Sequence, residues 1–384
     1  MDLTPEALRA QFPIKQHCAF FNHAAVAPIP ARTADAVALL AVQQRDSVHS
    51  KYGDWVARLA EARGNLAALL GTNRRRVAFT KNTTSGLILA TQGIPFEPGD
   101  NVVISSIEFP ANVYPWLALE PRGVETRMVQ PREGRILLDD VAAAMDANTR
   151  AVSLSWVQYS NGFRIDLAAL SQLCADRGAW LVVDAIQGLG AIPIDVDSLG
   201  IDFLCADGHK WLLSVEGCGV LYVSDRALEQ MRPANVGWMS VNDAQDYGEY
   251  RLELRDDAGR FEEGTHNMLG GHALGASAGL LLEAGPERVW DRIQQLTRRL
   301  VEGLLGAGCE IASPRGGGET SGIVSFRLPG IAPETVVENL AERNIVVCAR
   351  AGGVRVSPHF YNDDGEIDRL VVAVREMGTG TIFR

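Results

Sequence analysis

The sequence predicts an α/β protein with a mainly parallel sheet sandwiched by helices, followed by a smaller α+β C-terminal domain. Short runs of Val, Leu and Ile alternate with helical patterns from about residue 75 to 225, and such continuous apolar runs are typical of strands buried on both faces of a parallel sheet. A long amphipathic helix and a second, shorter set of strands and helices follow. The chain has 384 residues. A single hydrophobic core does not usually extend over so long a chain, so we expect two domains.

The first set of elements alternates strand and helix in chain order. Turn residues and polar clusters bound each apolar run, which sets the strand limits. We predict strands at 76–80, 100–106, 150–158, 179–185 and 219–224, and helices at 84–93, 111–123 and 166–178. A further short apolar run, IDFLCA, precedes residue 207, and residues 232–267 are irregular and polar.

The second set begins with a helix at 286–308. One face of this helix is apolar, and glycines end it; the face carries Val289, Ile293, Leu296, Leu300 and Leu304. Strands at 322–328 and 345–350, a helix at 333–344 between them and a last helix from about Glu366 complete a domain of about 100 residues. We expect an N-terminal arm (1–20) that packs on the small domain, a large domain (21–270) and the small domain (271–384).

Composition excludes some classes of partner. The formal net charge of −11 lacks the basic footprint that nucleic acids and anionic membranes need. None of the six cysteines forms a CxxC pair, so we expect no metal site, and their scatter suits a reducing compartment. The first residues lack the basic start and apolar core of a signal peptide, and no apolar run approaches the length of a membrane span. We therefore expect a cytoplasmic protein.

The stretch ADGHKW (206–211) places a lysine in sheltered, apolar surroundings. Upstream, the apolar strand AWLVVDA ends in Asp184, and Gln187 follows it. Ligands of open α/β sheets bind beyond the carboxyl ends of the strands. An aspartate that pairs with a protonated pyridine and a lysine that forms a Schiff base are the two groups that pyridoxal phosphate requires of a protein. Desolvation of the Lys210 amine would make it a nucleophile and a base.

Taken together, VVDAIQ and ADGHKW resemble the Asp-x-x-Gln and His-Lys signature of fold-type I pyridoxal-phosphate enzymes, in particular the class-V aminotransferase and cysteine desulfurase-like group. Other stretches resemble motifs of this family in the same order along nearly the whole chain. These are FFNHAAVAPIP (20–30), FTKNTTSGL (79–87), EFPANVYPW (108–116), YSNGFRIDL (159–167), EEGTHN (262–267) and RVSPHFYND (355–363). The resemblance implies pyridoxal 5'-phosphate as the cofactor, an amino acid as the substrate and a homodimer with shared active sites.

The resemblance also implies roles for residues at the cofactor ring. Lys210 would carry the cofactor as a Schiff base and move the Cα proton, and Asp184 would keep the pyridine nitrogen protonated. Gln187 would donate to the phenolic oxygen. Phe109 would stack on the ring, although the desulfurases usually have histidine there, which can move protons as phenylalanine cannot. Asn161 would touch the substrate carboxylate or the ring oxygen.

Phosphate and substrate contacts follow from the same resemblance. Thr83 and Thr84 open a helix whose free amides can cradle the phosphate, and His209 would hydrogen-bond it. Thr265 would reach the phosphate of the neighbouring subunit. In the substrate pocket, the resemblance assigns Arg355 to the α-carboxylate and places Asn22 and His23 along the walls.

Asp207 departs from the family, which usually has a small hydroxyl residue there. A carboxylate facing a phosphate would be repelled. We therefore expect Asp207 to point away, toward a backbone amide or a basic side chain.

The residues leave the reaction type open. We predict a class-V aminotransferase, with a C–S lyase acting on cysteine or a cysteine conjugate, or an amino-acid epimerase of the isopenicillin N epimerase-like type, as alternatives. Cysteine desulfurases carry a mobile loop cysteine before the arginine segment, whereas Cys348 lies only seven residues before Arg355 in an apolar run. We therefore do not expect a persulfide carrier. A cofactor-free scaffold would not need Lys210, and a nicotinamide enzyme would show a G-x-G-x-x-G after its first strand.

Overall fold

The computed structural model describes residues 4–379. Within them, the strands are β1 (Ala19–Phe20), β2 (Val77–Thr80), β3 (Asn101–Ser105), β4 (Glu125–Val129), β5 (Thr149–Ser155), β6 (Trp180–Asp184), β7 (Phe203–Asp207), β8 (Gly219–Val223), β9 (Glu310–Ile311), β10 (Val324–Arg327), β11 (Ile345–Val346), β12 (Cys348–Arg350) and β13 (Gly353–Val356). The α-helices are α1 (Pro5–Ala10), α2 (Ala31–Asp46), α3 (Val48–Leu70), α4 (Thr83–Gly93), α5 (Tyr114–Leu117), α6 (Leu138–Ala144), α7 (Leu167–Asp176), α8 (Val196–Leu199), α9 (Asp225–Gln230), α10 (Met268–Ala284), α11 (Pro286–Gly306), α12 (Pro333–Ala341) and α13 (Asp364–Gly378).

A seven-stranded sheet forms the centre of the larger part of the chain, in the order β2-β8-β7-β6-β5-β3-β4. Strands β3 to β7 run parallel to one another, and β8 runs antiparallel to both β7 and β2. Adjacent residues of one strand enter separate cores: Val182 packs on one face and Val183 on the other. The predicted mainly parallel sheet between two layers is therefore confirmed.

Two strands of the large sheet were not predicted. The edge strand β4 is mostly exposed or half-buried, so its sequence, ETRMV, lacks an apolar run. Strand β7 lies in the run IDFLCA, which Asp202 interrupts. This carboxylate is buried and accepts a hydrogen bond from Leu181 N at 3.0 Å, so it closes the β6–β7 connection.

The helix predicted at 111–123 is wrong as a single element. The segment forms a 3₁₀ turn (Pro110–Asn112), the four-residue helix α5 and a second 3₁₀ turn (Glu120–Arg122). Pro115 and Pro121 each lack an amide hydrogen and clash with the preceding turn of a continuous helix, so each begins a new short element.

The C-terminal part of the chain has its own sheets and core. An antiparallel sheet runs in the order β12-β13-β10-β9, and β1 pairs in parallel with β11. Along α11, Val289 and Ile293 pack in a core of the large sheet, whereas Leu296 and Leu300 pack in the core of the small sheets, together with Phe21. We propose the division into an arm, a large domain and a small domain on this basis, with α11 as the link.

One further observation concerns membranes. No helix among residues 4–379 is both long enough and apolar enough to cross a bilayer.

Candidate active site

The carboxyl ends of three adjacent parallel strands lie side by side in the large sheet. Ser155 ends β5, Asp184 ends β6 and Asp207 ends β7, and Ser155 lies directly opposite Asp184. Lys210 follows β7 by three residues, and its Nζ lies 5.6 Å from the ring centroid of Phe109. The structure thus brings together the lysine, the aspartates and the aromatic ring that the sequence singles out.

The Asp184 carboxylate is buried and has few partners. Its Oδ1 accepts a hydrogen bond from Ile186 N at 3.0 Å, and no other hydrogen bond to it occurs within residues 4–379. Burial raises the pKa of Asp184; the charge of Glu108 raises it further and the charge of Lys210 lowers it. A buried carboxylate of this kind gains most from a protonated nitrogen placed against its free oxygen.

The Lys210 amine loses its proton more readily than an ordinary lysine, because its pKa is lowered to about 8. Burial lowers the pKa of Lys210, and the charge of Asp184 opposes this shift. The chain has four lysines. Lys15, Lys51 and Lys81 each have a carboxylate oxygen within 4.0 Å, whereas no described carboxylate lies this close to Lys210. A neutral, unpaired amine is the form that acts as a nucleophile or a base.

The segment after β7 holds Lys210 in a tight turn. Leu213 N donates to Lys210 O at 3.0 Å, and Ser214 N donates to Gly208 O at 2.8 Å. Leu213 has a φ of 57°, which is uncommon for a branched residue, and its side chain is fully buried. Packing therefore maintains a strained backbone next to the lysine, as is typical of functional turns.

The end of β7 meets the N-terminus of α4. Thr83 is the first residue of α4, and its Oγ1 accepts a hydrogen bond from Asp207 N at 2.9 Å. Asp207 Oδ1 accepts from Gly208 N at 2.7 Å, and Oδ2 lies 3.1 Å from His209 Nδ1 but out of hydrogen-bonding alignment. Asp207 thus turns toward an amide and a histidine, as expected. Asn82 caps α4 by accepting from Ser85 N, whereas the backbone amides of Thr83 and Thr84 have no hydrogen-bond partner among residues 4–379 and are available to an anion.

Arg355 on β13 is a buried guanidinium with an unused donor edge. Its Nη1 donates to Tyr159 O at 2.8 Å, whereas its Nε is buried without a hydrogen-bond partner. Burial lowers the pKa of Arg355, and the Cys348 thiol on the neighbouring strand opposes this shift. A carboxylate bound across Nε and Nη2 would satisfy the buried nitrogen with two parallel hydrogen bonds.

Two residues singled out in the sequence are hydrogen-bonded to other parts of the protein. Asn161 donates to Gly134 O at 2.7 Å and accepts from Phe163 N at 3.0 Å, so its amide builds the turn after β5. His23 is fully buried, with Nδ1 2.7 Å from Ser357 O and Nε2 2.7 Å from Tyr361 Oη. Protein partners occupy both ring nitrogens of His23, whereas Asn161 keeps one amide hydrogen. The substrate contacts expected of the two residues stay predictions.

The remaining residues keep open positions. Gln187 Nε2 donates to Ala24 O at 3.0 Å and its Oε1 accepts from Trp211 Nε1, which leaves one amide hydrogen for a ring oxygen. The Oδ1 of Asn22 is buried without a hydrogen-bond partner. Thr265 is exposed beside a surface cavity that Lys81 and Ser85 also line, near the start of α4. The contact of Thr265 with a second subunit stays a prediction.

The sequence analysis missed Glu108. This buried carboxylate accepts hydrogen bonds from Ser155 N and Gln158 Nε2, both at 2.9 Å, from Asn112 Nδ2 at 3.2 Å and from the Ser155 hydroxyl. Burial raises the pKa of Glu108, and these hydrogen bonds oppose the shift. An acidic residue inside the apolar stretch IEFP was a usable signal, since a buried charge needs partners or a function.

The residues present fit pyridoxal phosphate. Buried polar side-chain atoms are nearly always hydrogen-bonded, so unpaired ones indicate a missing ligand or water. Five such atoms belong to the turn that holds Lys210 or to the other segments described above: Nδ1 of His209, Oγ of Ser214, Nε of Arg355, Oε1 of Gln158 and Oδ1 of Asn22. Asp184 adds a buried carboxylate that lacks a cation partner. Acceptors, donors and an unpaired amine match a ligand that carries a pyridine, an oxyanion and an aldehyde.

The fold and this set of residues define a pyridoxal-phosphate-dependent enzyme. A model of the family Aminotransferase class-V matches residues 19–370, and the chain belongs to this family. A protein of Methanothermobacter thermautotrophicus named a probable cysteine desulfurase is 31% identical over 83% of this chain and 84% of its own length. An uncharacterized aminotransferase of Bacillus subtilis is 27% identical over 100% of both chains.

Solved structures agree on the architecture. The apo structure of a cysteine desulfurase from Thermococcus onnurineus matches with a TM-score of 0.90 and 26% identity, covering 99% of this chain and 100% of the other. The fold-type I architecture expected from the sequence is thereby confirmed.

Proposed function

We propose that the protein is a class-V aminotransferase that acts on an amino acid through Lys210. The observation that carries the proposal is the amine itself. It is the only lysine of the chain without a described carboxylate within 4.0 Å, and burial lowers its pKa. An amine in this state is suited both to hold an aldehyde and to move a proton.

Bound pyridoxal phosphate supplies an aldehyde that condenses with amines and a ring that withdraws electrons from Cα. The chain supplies the rest. Lys210 Nζ would take the Cα proton and return it, and the buried carboxylate of Asp184 would favour a protonated ring nitrogen. The free donor edge of Arg355 would orient the substrate α-carboxylate, and the ring of Phe109, which lies 5.6 Å from Lys210 Nζ and is 43% exposed, would cover one side of the cofactor. Thr83, Thr84 and His209 would hold the phosphate.

A C–S lyase is the second candidate. The observation that favours it is the likeness over most of the chain to proteins named cysteine desulfurase. Transamination, C–S lysis and epimerisation all begin by removing the Cα proton, so the site described above serves each of them. The products separate the three: a keto acid with the amino group transferred, pyruvate with a released sulfur species, or the inverted amino acid.

Borohydride reduction of the protein incubated with pyridoxal phosphate tests the proposal. We expect a visible absorbance band and, after reduction and digestion, a pyridoxyl group on the peptide that contains Lys210. The Lys210→Ala variant should lose this adduct and about 10²–10⁴-fold of turnover, because the general base is removed. With only four lysines in the chain, mass spectrometry assigns the site directly.

Lys51→Ala provides the matched control. Lys51 is exposed on α3 and pairs with Asp54, so we expect an unchanged adduct and unchanged turnover. A protein that shows no band with pyridoxal phosphate, or an adduct only on another lysine, would contradict the proposal.

We further propose that the protein is a cytoplasmic homodimer with shared active sites. The exposed position of Thr265 near the start of α4 supports a contact with a second subunit. The net charge of −11 argues against nucleic acid and anionic membrane partners.

A further inference from the structure

Two arginines occupy one face of the small-domain sheet. On the antiparallel strands β12 and β13, Cys348 lies opposite Arg355, and Arg350 lies opposite Gly353. Side chains alternate along a strand, so Arg350 projects to the same face as Cys348 and therefore as Arg355. Diagonal neighbours of this kind are about 7–8 Å apart, which is within the combined reach of two arginine side chains.

Arg355 has room for one carboxylate. Its side chain is 2% exposed, Nη1 is taken by Tyr159 O, and the Nε–Nη2 edge is left. This edge binds a single carboxylate in the bidentate manner. Once the substrate α-carboxylate lies there, as the proposed function requires, a second guanidinium is not needed for the same group.

The charge of Arg350 nevertheless acts on the cleft that contains Lys210 and Arg355. Its side chain is exposed, and no hydrogen bond or ion pair joins it to another residue within 4–379. Burial lowers the pKa of Lys210 and of Arg355, and the charge of Arg350 lowers both further. An arginine that acts on both groups without a counter-charge is available to an anion.

A tight hairpin holds Arg350 in place. Ala351 and Gly352, with φ of 50° and 73°, form a two-residue turn between β12 and β13. Arg327 Nε donates to Gly352 O at 3.0 Å and fastens the turn to β10. Arg350 therefore projects from a short, fixed hairpin, which reduces the entropy lost when it binds a ligand.

We propose that Arg350 binds a second carboxylate of the substrate, so that the enzyme prefers amino acids with an acidic side chain. The proposal rests on the proposed function, in which Arg355 binds the α-carboxylate. One guanidinium then orients the reacting end of the molecule, and the other selects its far end.

Absorbance titration of the pyridoxal-phosphate-loaded protein tests the selection. L-aspartate and L-glutamate are compared with the isosteric amides L-asparagine and L-glutamine, and each apparent Kd is read from the spectral change. We expect the acids to bind about 10- to 100-fold more tightly than the amides, as loss of a charge-assisted pair predicts. Arg350→Gln should bring the ratio close to one by weakening the acids, with amide affinity almost unchanged.

Arg369→Gln is the matched control, since Arg369 is an exposed residue of α13 with no hydrogen bond or ion pair to another described residue; the wild-type ratio should persist. Thermal melts of all variants establish that each is folded. Equal binding of acids and amides by the wild-type protein would overturn the inference, as would an Arg350→Gln variant that weakens both classes equally. Either result, obtained with a normal adduct on Lys210, would leave the proposed function standing.

Discussion

The buried carboxylate of Glu108 orients residues beside Asp184 and also affects the pKa of Asp184. Its carboxylate accepts a hydrogen bond from the backbone amide of Ser155, and Ser155 lies opposite Asp184 on the next strand. The same carboxylate fixes Gln158, and the charge of Glu108 raises the pKa of Asp184. Glu108 is therefore a positioning residue: it touches neither substrate nor cofactor in our account, but it aligns the strand end beside the residue that does.

Replacing Glu108 with Gln tests this role. Glutamine has the same shape, but its Nε2 would face a group that now donates a hydrogen bond to the carboxylate. That buried donor would then lose its partner. We expect the free energy of unfolding to fall by about 1–3 kcal/mol in urea titrations. The cofactor spectrum should also change its pH dependence, because a negative charge that raises the pKa of Asp184 is gone; Asp184 should ionise at lower pH.

Glu120→Gln is the corresponding control, because Glu120 is exposed; its effect should stay within about 0.5 kcal/mol. A Glu108→Gln protein with wild-type stability and an unchanged pH profile would show that the carboxylate is not needed in this position.

At the residue scale, the sequence predicts which chemical groups the site contains better than it predicts which contacts those groups make. Asp184 and Lys210 are recognisable because a carboxylate and an amine in apolar surroundings conflict with ordinary burial. The direction in which a side chain turns is not encoded locally. Asn161 and His23 lie in segments that match the family, yet partners distant in sequence, Gly134 and Tyr361, occupy them. Glu108 was missed because two of its three partners, Ser155 and Gln158, are distant in sequence.

At the scale of elements, Glu262 joins three parts of the fold. Its carboxylate accepts from Arg63 on α3 at 2.7 and 2.9 Å and from Phe79 N on β2 at 2.7 Å, and it lies 2.7 Å from His266 Nε2. Burial alone would raise the pKa of Glu262, but the charges of Arg63 and His266 more than offset this and lower the pKa to about 2. The ionised carboxylate therefore stabilises the junction between a helix, a strand and the segment before α10.

This junction predicts acid sensitivity. The pKa of Glu262 is lower in the folded than in the unfolded protein, so its contribution is complete above about pH 4.5 and is lost as the pH falls toward 2. The shift corresponds to about 3 kcal/mol of stability at neutral pH. We expect Glu262→Gln to lose about this amount in urea unfolding at pH 7 and to show a flatter stability profile between pH 4.5 and 2.

The neighbouring Glu263→Gln is a suitable comparison, since Glu263 is exposed and 4.0 Å from Lys81; we expect little change. Parallel pH profiles for wild type and Glu262→Gln would contradict the assignment.

Elements were predictable where one signal dominates. Buried strands such as β6 are continuous apolar runs, so their limits came within a residue or two. The 110–122 segment has an apolar pattern that favours a helix, but prolines remove backbone donors at two places and break it. Strand β4 lies at a sheet edge and has no apolar signature.

At the scale of the whole molecule, the described surface carries an aromatic cluster. Trp238, Tyr247 and Tyr250 are 45%, 69% and 98% exposed in a segment that follows α9, and the rings of Trp238 and Tyr247 are 6.4 Å apart. Exposed apolar surface of this kind is typical of an interface. It supports the proposed dimer, for which light scattering should give about twice the 41.5 kDa chain mass.

Subunit mixing tests whether the sites are shared. If Thr265 serves the neighbouring site, a heterodimer of Lys210→Ala and Thr265→Val chains contains one site with both native residues. Mixing the two impaired proteins should then restore activity, whereas Thr265 acting within its own subunit would leave both sites defective. Thr265→Val alone should bind pyridoxal phosphate about tenfold more weakly, as loss of one hydrogen bond to a charged group predicts. Mixtures that remain inactive although mass spectrometry detects heterodimers would contradict shared sites.

The two-residue reversal at Ala351 and Gly352 also governs how products leave. Because this turn has only two residues, β12 and β13 are not joined by a long loop that could carry a sulfur or an amino group to another macromolecule. We therefore expect the product to leave the site as a free small molecule.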